Sequence, residues 1–184
     1  MKNTQNDCFD QRNFWNKLQE LKYEIIYLSL HFRRCIKFLN IIRYIETGTT
    51  ALCVGLIMFF SQTKWVIIVC GVISLLMQII IAFAKDTPLS TRKDELREMG
   101  HDLDLLYNEM ERDWSKISNG QIAQIEIAEG IKRYADKKSN IEKNYFKNDA
   151  LPEKQDLLDK ANDMTEAYFL NLTKEEKTYE PDEN

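Results

Sequence analysis

The sequence predicts an all-α membrane protein, in which a two-helix transmembrane hairpin carries long cytoplasmic helices that form a coiled-coil-like stalk or bundle. Three observations lead there. Between Thr47 and Ala84 the only charged side chain is Lys64. Basic residues crowd both edges of that block, and apolar residues outside it recur in alternating steps of three and four. Over the whole chain, 29% charged residues and a net charge of −4 would suit a soluble domain. That average conceals the block, and the block sets the class.

Trp65 to Ala84 is an uncharged apolar run. At ~1.5 Å of helical rise per residue, about 20 residues cross a hydrocarbon core of ~30 Å. The first stretch, Thr47 to Thr63, is shorter, so its helix is expected to begin earlier, with spans of about 44–63 and 65–84. Ser61-Gln62-Thr63-Lys64 leaves room only for an antiparallel connection. Arg33, Arg34, Lys37 and Arg43 precede the first span, and Lys85, Arg92, Lys93 and Arg97 follow the second. The positive-inside rule then places both termini in the cytoplasm. The polar segment 1–13 lacks an apolar signal core, so the first span is expected to direct its own insertion. Cys8, Cys35, Cys53 and Cys70 form no CxxC pattern and predict no disulfide framework. With cytoplasmic termini, the Asn171-Leu172-Thr173 sequon is expected to stay unglycosylated.

Ahead of the membrane, Phe14, Leu18, Leu21, Ile25, Leu28, Phe32, Cys35, Leu39 and Ile42 follow a heptad step. Segment 14–46 therefore reads as one helix entering the membrane unbroken. Segment 88–117 repeats the pattern with Leu96, Met99, Leu103, Leu106 and Met110, continuing less regularly to Trp114 and Ile117. The two seams can bury each other within a chain or pair between subunits. Ser118-Asn119-Gly120 ends that helix. Two further cytoplasmic helices fill 121–170. There, Lys132-Arg133 and Lys137-Lys138 read as a solvated face, and 171–184 reads as a disordered acidic tail.

Catalysis finds no support. Neither of the two histidines, His31 and His101, sits in a catalytic or metal-ligand pattern, the His31/Cys35 pair has no second pair to complete a site, and the six glycines form no phosphate loop. No catalytic residue, metal or cofactor is therefore expected, nor any nucleic-acid duplex as partner. The functional candidates lie in and around the membrane. In the first span Thr47, Ala51 and Gly55, with Gly48 alongside, make a small-residue stripe for the partner span or a second subunit. In the second, Cys70, Ser74 and Gln78, with Gly71 beside them, make a weakly polar face. Gln78 either bonds across the hairpin to Thr49 or Thr50 or lines an oligomeric pore. Arg33, Arg34, Lys37, Lys85, Arg92 and Lys93 form a basic collar for anionic lipid or a phosphate-bearing ligand.

The helix–hairpin–helix order from about Phe14 to Trp114 resembles the SLATT family. So does the run His31-Phe32-Arg33-Arg34 through Phe38-Leu39-Asn40 into the first span, with the stretch after the second span closing at Trp114. The resemblance implies a bacterial two-span effector of nucleotide-signalling and anti-phage systems. Such a protein oligomerises and permeabilises the inner membrane when a cyclic nucleotide or a nucleotide-signalling protein reports infection. The alternative expectation is a membrane-anchored scaffold or regulatory subunit that recruits cytosolic partners through its coiled-coil helices.

Overall fold

The structure, a computed structural model, describes the backbone of residues 3–59, 64–85, 88–145 and 153–178. The described residues form five helices: α1 (Asn3–Phe59), α2 (Lys64–Lys85), α3 (Pro88–Ser118), α4 (Gln124–Tyr145) and α5 (Gln155–Thr178). They divide into two compact units, one of Met1–His31 with Leu96–Asn184 and the other Phe32–Glu95.

The first unit is a four-helix bundle of the N-terminal part of α1 with α3, α4 and α5. Contacts fix the directions. Phe14 stacks on Trp114 and Lys22 lies over Tyr107, so α1 and α3 run antiparallel. Asp10 meets Gln124 and Glu24 meets Lys138, so α4 runs with α1. Trp15 packs on Phe169, while Leu30 clusters with Leu157 and Ala161, so α5 runs against it. Up-down-up-down order follows, and it needs only short connections between neighbours.

The heptad residues of α1 and α3 are the core of this bundle. Phe14, Leu18, Leu21 and Leu28 are buried, as are Leu96, Met99, Leu103, Leu106, Met110 and Ile117. Within the unit the seams thus pair inside one chain, and α4 and α5 close over them with Ile127, Tyr134, Leu157, Ala161 and Phe169. An aromatic group ties all four helices together. Phe14 meets Trp114 at 6.2 Å between ring centroids and Tyr134 edge-on at 6.0 Å. Trp15 meets Trp114 at 4.9 Å and Phe169 at 5.2 Å. Such pairs add roughly 0.5–1.5 kcal/mol each beyond the area they bury.

Gly120 ends α3 with a left-handed φ of 68°. The Gly120 amide donates to the Ile117 carbonyl at 3.0 Å and the Gln121 amide to the Lys116 carbonyl at 2.9 Å. This is a Schellman cap, which satisfies carbonyls the helix end would leave open. Helix α4 then begins at Gln124 rather than 121, because the chain spends three residues leaving the cap. At the other end α5 continues to Thr178, past the expected limit at Leu170, since no Pro or Gly interrupts Asn171 to Lys177. The expected disordered tail is therefore helical over its first part, and 179–184 lie outside the described residues. Likewise, helix α1 already begins at Asn3, within the segment expected only to be polar.

The basic pairs of α4 differ from the sequence expectation. Lys138 is bonded to Glu24 of α1, Lys137 to Glu109 of α3 at 2.7 Å, and Arg133 to Asp113 of α3 at 3.0 Å. They brace α4 across two neighbours, whereas Lys132 stays exposed. Helical periodicity identified the face but could not know that acids stood opposite. Being half in water, the Lys137 and Arg133 pairs contribute about 0–1 kcal/mol each and serve mainly to set the register of α4.

Tyr134 is buried and donates its hydroxyl to Asp113 at 2.7 Å. Burial, reinforced by that bond, pushes its phenol up to about 12. Burial opposes ionisation of Asp113, but the bonds from Tyr134 and Lys116 outweigh it and hold the carboxyl below its usual range. Burial similarly opposes the charge on Lys138, and its bond to Glu24 outweighs that, so the ammonium is raised. A raised folded-state value means that the folded chain keeps a proton the unfolded chain releases. The contribution of Tyr134 is therefore complete below pH 10 and fades as pH climbs to about 12. Helical ellipticity of detergent-solubilised protein should fall in urea at progressively lower denaturant as pH rises across that window. Tyr134→Phe should lose about 1–2 kcal/mol at neutral pH and flatten the alkaline decline.

Candidate functional site: the hairpin faces and their basic flank

In the second unit α1 and α2 meet along a narrow line. On α1 the line runs Leu39, Ile42, Glu46, Thr49 and Cys53, with Cys53 buried and the others half-buried. On α2 it runs Val66, Cys70, Ser74, Met77 and Ile81, with Cys70 and Ile81 buried. The steps of three and four that organise the bundle therefore persist along α1 to Cys53. Toward the connection between the two helices, the Cys53 thiol approaches the Cys70 carbonyl oxygen at 3.9 Å.

Most of the remaining hairpin surface faces outward, and it is predominantly apolar. Leu52, Met58, Phe59, Trp65, Ile68, Leu75 and Phe83 are all exposed. Both helices are long and apolar enough to cross a membrane, and only 6% and 11% of their most apolar windows is buried. The core helix of a soluble protein would be mostly covered by its own chain. These two are not.

The small-residue stripe lies off the contact line. Thr47, Gly48 and Ala51 are exposed and Gly55 is half-buried, while the residues that face α2 are Glu46, Thr49 and Cys53. A methyl group added at Gly48, Gly55 or Gly71 would meet no atom within 4 Å. The small side chains are thus not what lets α1 and α2 approach. The Thr47 hydroxyl donates to the Arg43 carbonyl at 2.9 Å and the Thr50 hydroxyl to the Glu46 carbonyl at 2.8 Å, both within α1. The Thr50 hydroxyl thus donates within its own helix, and Gln78 is exposed. Cys70 and Ser74 lie on the contact line, but the line next steps to Met77, which leaves Gln78 and Gly71 exposed on the outer surface.

Of the basic collar, Arg33, Arg34 and Lys37 are exposed and Arg92 and Lys93 half-exposed, all within the second unit. The Lys85 side chain lies outside the described residues. Among the described residues no group of three or more His, Cys, Asp or Glu side chains could hold a metal ion. His31 is buried in the bundle, with the Tyr27 ring edge-on at 4.7 Å, and His101 is exposed.

The bundle also holds a groove that helical spacing alone does not reveal. Trp15, Gln19 and Tyr23 of α1 face Asn162, Glu166 and Phe169 of α5 across a space of about 590 Å³. Steps of four along α1 and of three and four along α5 carry those residues. Only the packing of α5 against α1 makes that pattern a groove.

Because Gly48 and Gly55 have no intrachain neighbour, Gly48→Ala and Gly55→Ala should leave the hairpin intact and improve its helix propensity by up to about 1 kcal/mol each. Cross-linking in membranes would read the other consequence. If the stripe is a subunit contact, the added methyls weaken the oligomer several-fold; an unchanged ladder removes the stripe from the interface. Compared with known proteins, the chain matches no family model, no curated protein and no solved structure.

Proposed function

We propose that the chain is a homo-oligomeric membrane effector. In this reading the hairpin crosses the bacterial inner membrane with both termini in the cytoplasm. Assembled hairpins form a pore or disrupt the bilayer in an anti-phage response triggered by a nucleotide-signalling partner. The observation that carries the reading is the outward apolar surface of α1 and α2, which the chain itself leaves almost wholly uncovered. Lipid is the solvent that accepts such a surface at no cost. Arg33, Arg34 and Lys37 before the first span and Lys85, Arg92 and Lys93 after the second support the orientation, and near anionic lipid each is worth ~1 kcal/mol.

Assembly is supported by the position of Gln78. Its amide stands on the outer surface of α2, seven residues before the helix end at Lys85. A primary amide in hydrocarbon costs several kcal/mol at the upper end unless it finds a hydrogen-bond partner or water. A second subunit supplies the first and a pore lumen the second. The immune response and its trigger rest on the resemblance to the SLATT family.

Expression in cells loaded with a membrane-potential dye is expected to depolarise the membrane and arrest growth. Gln78→Leu should reduce depolarisation several-fold at an equal amount of inserted protein. A membrane that keeps its potential while holding the inserted protein and a co-expressed nucleotide-signalling partner would sink the effector reading.

The groove between α1 and α5 favours a second reading, a membrane-anchored scaffold whose bundle recruits a cytosolic protein. Under it, the bundle attached to an unrelated two-helix anchor should keep full activity, whereas the effector reading requires these spans.

A further inference from the structure

Within the apolar hairpin the contact line brings together two groups capable of covalent chemistry. Cys53 and Cys70 are both buried, at 7% and 2% exposure, and neither is in a disulfide. The Cys53 sulfur reaches the Cys70 carbonyl oxygen at 3.9 Å, which sets the two residues side by side across the helix pair. They stand at one depth, since Cys53 precedes the end of α1 at Phe59 by as many residues as Cys70 follows the start of α2 at Lys64. That interval, about 9 Å at helical rise, sets them inside the apolar layer. Both thiols border a cavity of about 540 Å³ whose other walls include Leu52, Leu56, Trp65 and Val69. A charged tripeptide thiol or a polar oxidant pays a large desolvation cost to enter such a space, whereas a flat apolar ring does not.

We propose that Cys53 and Cys70 form an interhelical disulfide on reaction with a lipid-soluble quinone, making the hairpin a modification site that joins its two helices covalently. Two S–H bonds break and one S–S bond forms. The two protons and two electrons pass to the carbonyl oxygens of the quinone, which leaves as a hydroquinone. Redox compartment therefore does not govern this pair as it governs water-exposed thiols, because cytoplasmic reductants do not reach it. The bond would prevent α1 and α2 from separating on their connection side. The assignment rests on the membrane placement proposed above and is independent of pore formation.

The test uses the full chain in phosphatidylcholine–phosphatidylglycerol vesicles, treated with a decyl-substituted benzoquinone or with oxidised glutathione, then mapped by peptide mass spectrometry without reduction. Insertion is checked separately by alkaline extraction, so a chain that fails to insert counts against the membrane placement itself. For the inserted chain, the quinone should convert most of the Cys53 and Cys70 peptides into one linked species, restored to two by a membrane-permeant phosphine. Oxidised glutathione should produce at least ten-fold less. In Cys53→Ser the linked species should vanish and Cys70 should stay free. Three results overturn the proposal: an unreacted pair, a quinone thioether left on a single cysteine, or linkage between chains through Cys70. Equal yields from the two oxidants would overturn the assignment to a lipid-side oxidant.

Discussion

Among the described residues every other helix packs on α1, and what permits this is a heptad-spaced, mostly apolar seam along it. In the bundle the run is Phe14, Leu18, Leu21 and Leu28; in the hairpin it is Leu39, Ile42, Glu46, Thr49 and Cys53. A helix with one such seam buries a narrow stripe and leaves most of its circumference free. That geometry has opposite consequences in the two units. In the bundle the free circumference of α1 is shared among α3, α4 and α5. In the hairpin α2 covers one line of it, and much of the remaining described surface is apolar and open.

Polar chemistry in the bundle follows from the same geometry. Three helices around α1 leave acid side chains at the seams between them, at Glu24, Glu109 and Asp113, and α4 answers with Lys138, Lys137 and Arg133. These pairs contribute little stability. They do discriminate among positions of α4, because sliding it by one turn would set lysine against the apolar flank of α3. The Tyr134–Asp113 bond adds a directional element that ion pairs lack.

Much of this architecture was legible in the sequence because a strong periodic signal produced it. The seams of α1 and α3, the break at Gly120 and the two apolar helices all declare themselves through spacing or turn chemistry. The placement of α4 and α5 did not, because their partners are fixed by tertiary contacts such as Trp15 with Phe169. Within the hairpin, smallness and seam spacing point to different faces of α1. Selecting residues by smallness picked out Thr47, Ala51 and Gly55. Extending the seam from Leu39 and Ile42 by four, three and four would have reached Glu46, Thr49 and Cys53, which are the residues that meet α2. The same arithmetic on α2 leads from Ser74 to Met77 and Ile81, and so leaves Gln78 outside the pair.

The placement of the tryptophans gives each unit an optical signature of its own. Trp15 and Trp114 lie 4.9 Å apart in the bundle, close enough to couple electronically, whereas Trp65 is 75% exposed on the hairpin at the connection end of α2. With the hairpin in a bilayer as proposed, brominated lipid would quench the exposed Trp65, and near-ultraviolet dichroism would be dominated by the coupled pair. Melting of the bundle and changes around the hairpin can thus be followed separately in the unlabelled protein.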